Sequence, residues 1–369
     1  MDTDQHPWPE DWEITFVHQL AAGLIEYADL CRVGEPIRLP YPSNLQRALD
    51  RLTLMCQVQG VTPPGSVMDL LRWARRPLAD WPIGLDVPRL DVDEALLAFG
   101  YPSVACEELG RLRGDVEGEL RENALIGDVM DVCRANDRED AYVAFRELLI
   151  RRPAMSELDL AEQLHRPELA LLSAQLRAAY REAPPEALLG GVAQVCGGCG
   201  NLRTPAEDMP QRMCVDPACP DPGKPWTELP AVEGVLWIGR ELRTFIAAPG
   251  RAELRIADSL RAAGVPIELW PRFDACDLAV FSTDVWAVDV KAWASPTRLA
   301  ARLAARPFHP PSDASRAFIV IADEQCRARP GYLRQLVRAL PSLGPGGRVT
   351  AMSEREFSGE VKRRLKEES

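Results

Sequence analysis

Lysine is nearly missing from this chain: among 43 basic residues only Lys224, Lys291, Lys362 and Lys366 are lysine, and the rest are arginine. Histidine is as sparse, since His6, His18, His165 and His309 stand alone without the spacing of a metal site. No apolar run approaches the roughly 20 residues that a membrane helix needs. The start, MDTDQHPWPEDWEITF, is acidic and aromatic where a secretory signal is basic and then apolar. These absences predict a cytoplasmic protein with no membrane partner. Neither a G-x4-G-K-[ST] phosphate loop nor a convincing G-x-G-x-x-G turn is present, so use of ATP or NAD has no support. Internal repeats are absent too.

What is present exceeds one ordinary core, because 369 residues predict two or three domains. A hydrophobic content of 46% and a charged content of 27% are those of a globular chain. The net charge of -12 argues against a protein that coats nucleic acid along its whole surface. That sum hides an asymmetry. Residues 231–369 carry a net charge of +4, whereas residues 1–230 carry -16. The mildly basic part suits phosphates, and the acidic part suits a protein partner.

Apolar spacing over residues 1–190 is that of helices, in PSNLQRALDRLTLMCQVQ, DVDEALLAFG, VEGELRENALIGDVMDVCRAN and DAYVAFRELLIRR. Ser43 and Ser156 fit as helix caps. SELDLAEQL followed by PELALLSAQLRAAYREAP predicts two further helices; a helical hairpin is the commoner reading of such a pair, and a small helix-turn-helix the rarer one. APPEALLGG marks a linker. Residues 191–230 are rich in Gly, Pro and Cys, with little capacity for a core. From residue 231 to 369, strands alternate with helices through short connections, the α/β pattern. The expected organisation is therefore a helical N-terminal domain (1–190), a zinc ribbon (191–230) and an α/β domain (231–369).

Ten cysteines are too scattered for a disulfide framework, except for four in one segment. Cys196 and Cys199 form one C-x2-C turn, and Cys214 and Cys219 form a second pair across VDPA. Two such turns can close four thiolates around Zn2+ with no open position, which makes the site structural and not catalytic. Gly198 and Gly200 fit the tight backbone of such a knuckle. Four unrelated thiols and a redox C-x-x-C are the weaker alternatives.

The stretch RAELRIADSLRAAGVPIELWPRFDACDLAVFSTDVWAVDVKAW carries the chemistry. Residues 251–263 read as a helix stopped by Gly264. Residues 265–270, 276–281 and 285–293 follow as strands, with a short turn between the last two. Side chains alternate along a strand, so Asp289 and Lys291 share one face while Val288, Val290 and Ala292 take the other. Asp277 shares a face with Ala275 and Ala279. Charged groups within apolar strands cost several kcal/mol unless paired or used. The strand pattern alone fits equally a plain ion pair with Lys291 and a reactive centre. Glu268, opposite Ile267 and Leu269, is a reserve ligand, and Asp274 lies near the same centre.

This stretch resembles the PD-(D/E)xK, or restriction-endonuclease-like, nuclease superfamily over roughly residues 232–360. Asp277 matches the first acid, Asp289-Val290-Lys291 the acid-x-Lys motif, and Glu253 the Glu of the preceding helix; Cys276 stands where a proline is usual. The resemblance implies a metal-dependent endonuclease in which Asp277 and Asp289 hold Mg2+ (or Mn2+) and Glu253 supports them. Lys291 would orient or deprotonate the attacking water, and its being lysine is telling in a chain that prefers arginine. DNA is the expected substrate, with RNA an equal claim on the same residues and a noncatalytic binding or assembly subunit the second class. Arg298, Arg302 and Arg306 recur at four-residue spacing in a helix capped by Ser295, suited to DNA phosphates or to a solvated face. More closely, LLIRRPAMSELDL, AAYREAP, the four cysteines, AEL, CDLAV and DVKAW are similar to the endonuclease that accompanies prokaryotic PIWI-RE proteins. That likeness implies a defence module, with a PIWI-type protein and a helicase as partners. Restriction-type nucleases often act as homodimers, which makes a second copy of the chain a candidate partner, although nothing in the sequence identifies a dimer surface.

Overall fold

The computed structural model describes residues 11–32, 39–85, 91, 93–113, 116–205, 211–282, 284–340 and 349–368. The chain divides into two compact units, the first ending at residue 115 and the second holding 116–205 and 211–369. Among the described residues, no helix is long and apolar enough to cross a membrane.

The first unit is helical, with helices Trp12–Arg32, Ser43–Val58, Val67–Ala74 and Val104–Arg113. Its core gathers Phe16, Leu20, Leu45, Leu52, Leu70, Trp81 and Leu109. The first two helices approach so closely that a Cβ on Gly23 would lie 2.5 Å from Leu45 Cα. Pro42 and not Ser43 occupies the cap position of the second helix. DVDEALLAFG, whose spacing predicts a helix, instead ends in a two-stranded hairpin, Leu97–Ala98 with Tyr101–Pro102. Phe99 and Gly100 form its turn with φ of 54° and 84°, a conformation that Gly favours and a helix cannot contain.

The second unit is built on a five-stranded sheet. We number its strands β1 (Ile267–Leu269), β2 (Leu278–Phe281), β3 (Val285–Lys291), β4 (Arg316–Ile321) and β5 (Val349–Ser353). They lie in sequence order, β1–β2–β3 antiparallel and β3–β4–β5 parallel. One face presents Leu278, Val280, Trp286, Val288, Val290, Phe318 and Val320 to a core shared with Leu254, Ala257 and Leu260 of helix Ala248–Ala262 and Phe357 of helix Glu354–Glu368. The α/β order expected of the C-terminal part is thus present.

That core does not stop at residue 231. Tyr142, Phe145, Leu149 and Leu176 belong to it, and strand Val235–Ile238 pairs antiparallel with both Ala154–Ser156 and Tyr180–Glu182. A boundary at 190 therefore does not separate compact units, because the strands on either side of it form one sheet. AAYREAP, expected to continue a helix, turns at Tyr180 into one of those strands. Ser156 does cap helix Glu157–Leu164, accepting from Asp159 N at 3.0 Å while Asp159 Oδ2 accepts from Ser156 N at 3.2 Å. The cysteine segment folds on short strands Val192–Val195, Leu202–Thr204 and Met213–Cys214, with Thr227–Pro230 added beside the first.

Candidate functional site

Register decides which side chains meet. Leu278 faces Val288 and Ala279 faces Ala287 across the β2–β3 ladder, so Asp277, Ala279, Ala287, Asp289 and Lys291 all take the face opposite the core. Asp277 stands just before β2, yet its N–H donates to Val288 O at 3.0 Å, extending the ladder to it. Its carboxylate Oδ2 accepts from Val290 N at 2.6 Å. Asp289 Oδ1 accepts from Lys291 Nζ. All three side chains are half-buried. The strand alternation thus brings together the two acids and the lysine expected from sequence.

Glu253 comes from the other side, on helix Ala248–Ala262, with 2% of its surface exposed. Its Oε2 accepts from Trp270 Nε1 at 2.5 Å and lies 3.6 Å from Arg146 Nη2. Burial raises the Glu253 carboxyl above its ordinary value, opposed by Arg146. Asp277 is driven well above the usual carboxylate range, first by burial and then by Glu253 and Asp289. Burial would lower the Lys291 ammonium, but Asp289 and Asp277 outweigh it and hold it above its ordinary value. The contact with Asp289 makes Lys291 one half of an ion pair at the centre of this face. Acids whose ionisation is opposed by burial and by one another form a site that a divalent cation would relieve, and their hard oxygens suit Mg2+ or Mn2+. Among the described residues, though, no three carboxylates converge: the four cysteines are the one group whose ligand atoms all lie within 4.8 Å of one another.

Arg146 was not legible as a site residue. Its one signal is an arginine on the apolar stripe of DAYVAFRELLIRR, beside Tyr142, Phe145 and Leu149. Glu268 faces Ala279 across β1–β2 and is exposed, on the acid-bearing side of the sheet. Cys276, where a proline is usual, is buried; burial pushes its thiol up to about 12, and Sγ donates to Leu278 O at 3.3 Å. The arginine face needs correction. Ser295 caps helix Pro296–Ala305 as expected, but Arg298 is only 2% exposed and sits among buried Leu299, Ala300 and Leu303. Four-residue spacing puts Arg298, Arg302 and Arg306 on one face without saying where that face points. At Arg298 it points inward, so this guanidinium is not offered to a phosphate; Arg302 is half-buried and Arg306 exposed.

The four thiols converge, with Cys196 and Cys219 Sγ 3.7 Å apart and Cys199 and Cys214 Sγ 3.3 Å apart. A tetrahedral Zn–S distance near 2.3 Å implies sulfurs roughly 3.8 Å apart, so the set is compatible with a zinc ribbon. Gly198 is required there, since a Cβ would meet Asp221 O at 2.1 Å and Cys219 Sγ at 3.0 Å. Asp216, between the second pair, is 4% exposed. It accepts from Asn201 Nδ2 at 3.4 Å and from Arg251 Nη1 at 2.8 Å.

Comparison attaches a name to the segment that carries this sheet. Residues 250–369 match the family described as the REase associating with pPIWI_RE. Residues 16–156 match a second family, the pPIWI_RE three-gene island domain Y. No curated protein and no solved structure matches the chain. The resemblance carried by CDLAV and DVKAW is therefore met again, with the REase-like domain confined to the C-terminal third. LLIRRPAMS, read with the endonuclease, falls inside the domain Y match instead. Neither match reaches the four cysteines, so the ribbon rests on its own geometry.

Proposed function

We propose that this chain is a metal-dependent endonuclease that hydrolyses DNA within a prokaryotic defence module. The observation that carries the reading is the meeting of Asp277, Asp289 and Lys291 on one sheet face, with Glu253 buried beside them. Asp277 and Asp289 would hold Mg2+ or Mn2+, which when bound clamps a phosphate oxygen and lowers the pKa of water. The residues themselves do the rest. Val290 N–H fixes one oxygen of Asp277 and leaves the other available. Trp270 and Arg146 orient Glu253. Lys291, held as an ammonium by Asp289, offsets the charge that develops on the phosphorane. Arg302 and the exposed Arg306 are the remaining candidates of this arginine face for a phosphate contact. We further propose that the four thiols hold a structural zinc and that the enzyme works in the cytoplasm. The association in the family's name supports a PIWI-type partner, and the resemblance adds a helicase and a second copy of the chain as further candidates.

One observation favours a second reading, a noncatalytic nucleic-acid-binding or assembly subunit. Lys291 already pairs with Asp289, and Glu253 already has two partners. Cleavage of plasmid, single-stranded DNA and RNA with Mg2+ or Mn2+ separates the two readings. The wild type is expected to nick DNA, and Lys291→Ala to cut about 10²–10³-fold more slowly, the usual effect of deleting one transition-state cation or donor. Equal cutting by both proteins would place the chemistry elsewhere. A wild type that binds DNA without cutting it, alone and with a PIWI-type partner, would establish the binding subunit.

A further inference from the structure

Behind Glu253 lies a contact that the acid-x-Lys pattern does not contain. Arg146, on helix Glu139–Arg151, has 4% of its side chain exposed. Its Nη1 is 2.5 Å from Asp274 Oδ2, its Nη2 is 3.6 Å from Glu253 Oε2, and its guanidinium stacks 4.4 Å over the Trp270 ring. Trp270 in turn donates to the same Glu253 oxygen. One planar cation thus ties together an acid of the proposed centre, that acid's indole partner and the residue three before Asp277.

The segment it holds cannot hold itself. Trp270, Arg272, Phe273 and Asp274 have φ of 47°, 54°, 57° and 76°. Left-handed backbone costs an L-residue roughly 1–2 kcal/mol, and this run contains no glycine to lower it. Such strain persists only where the surroundings over-determine it. The surroundings here come from residues 116–151: Glu139 accepts from Arg272 N, and Tyr142 meets the Phe273 ring at 5.6 Å. Arg134 lies 5.0 Å over the same Phe273 ring. Helix Glu139–Arg151 is itself pressed onto helix Ala248–Ala262, for a Cβ on Gly250 would lie 2.3 Å from Ile150 Cδ1. The clamp falls inside the domain Y match, and the clamped turn falls inside the REase match.

We propose that Arg146 is a positioning residue of the nuclease centre, supplied by the domain Y segment, which orients Glu253 and fixes the left-handed turn that delivers Asp277. The two matched segments then form one centre. The inference rests on the nuclease reading, and it differs from two plainer roles: an interior anchor that only stabilises the fold, and a counter-charge that only neutralises acids.

Lysine at 146 keeps the charge but lacks the fork that spans two carboxylates and the plane that stacks on indole. The full chain is therefore titrated with Mn2+, read by the electron-paramagnetic signal of the free ion, as wild type, Asp277→Asn and Arg146→Lys. Wild-type binding that Asp277→Asn removes establishes the site; Arg146→Lys is then expected to weaken it about 10-fold or more, as loss of an outer support does. Tryptic cleavage after Arg272 is expected to accelerate in the same variant. A folded Arg146→Lys that binds Mn2+ as the wild type does, or more tightly, overturns the positioning role and leaves the nuclease reading standing. No Mn2+ binding by the wild type, or binding that survives Asp277→Asn, overturns both. If Arg146→Lys does not fold, Asp274→Ala, at a partly exposed position, carries the same test with the same two outcomes.

Discussion

Asp277→Asn is expected to slow metal-dependent cleavage by about 10³-fold or more, the several kcal/mol that a lost metal ligand removes from the transition state. The same change is expected to make the metal-free protein more stable at neutral pH. Asparagine keeps the shape and still offers an oxygen to Val290 N–H, which now donates to Asp277 Oδ2 at 2.6 Å. Lys291 keeps Asp289. What disappears is a half-buried carboxylate held well above its usual range by loss of hydration and by Glu253 and Asp289. A carboxyl whose pKa is raised by folding binds more protons folded than unfolded, so its ionisation destabilises the fold as pH rises above the unfolded value. The variant is therefore expected to melt about 2–4 °C higher at pH 7.5 without divalent cation, as roughly 1 kcal/mol does in a domain of this size. The gain should fade as pH falls and vanish below about 3.9, where the wild-type group is protonated in both states. A lower melting temperature at pH 7.5 would instead mean that Asp277 works as the partner of Lys291, the property of a noncatalytic core.

The parts of this centre that sequence reasoning reached are those fixed by local periodicity. A two-residue repeat sets which face Asp277, Asp289 and Lys291 share before any partner strand is known, and the ladder preserves that parity. Glu253 was reached through resemblance, but its burial and its contacts with Trp270, 17 residues on, and with Arg146, on a helix far earlier in the chain, depend on packing between elements. Arg146 lies 107 residues from Glu253, and nothing local distinguishes it from a surface arginine except the apolar stripe it interrupts. The left-handed turn at 270–274 was hidden for a related reason: it contains none of the Gly or Asn that announce such backbone, because distant side chains hold it. Arg298 failed in the opposite sense, since helical spacing shows that residues share a face and not whether it points inward. Composition likewise marked 191–230 as a separate segment but could not show that strands 154–156 and 180–182 pair with 235–238 across it.

Loss of the proposed zinc is expected to reach the acids although, among the described residues, none of its four cysteines is bonded to them. The apolar cluster beneath the ribbon is small, with Ala187, Ala193, Leu202 and Val215 meeting Ala154, Val235 and Trp237. So little burial cannot hold the segment alone. Structural zinc contributes on the order of 10–16 kcal/mol in small zinc peptides, comparable to the whole stability of a domain. Cys199→Ser, or stripping by a strong chelator, is therefore expected to lower the melting temperature by about 10 °C or more, with zinc content followed by mass spectrometry. The route to the centre runs through Asp216. Arg251 binds its carboxylate at 2.8 Å and Ala218 O at 2.9 Å, with side-chain exposures of 12% and 3% for Arg251 and Asp216. Burial lowers the Arg251 guanidinium, and Asp216 together with Cys199 and Cys219 more than restores it, so an unfolded ribbon strands this cation two residues from Glu253 on the same helix. Mn2+ binding at the acids should weaken with zinc loss, and Arg251→Met should weaken it while zinc content stays at one per chain. If Cys199→Ser contains no zinc yet melts and binds Mn2+ like the wild type, the ribbon braces nothing and the link through Arg251 is only a surface tie. If both measures fall together, the ribbon and the helix carrying Glu253 are one mechanical element.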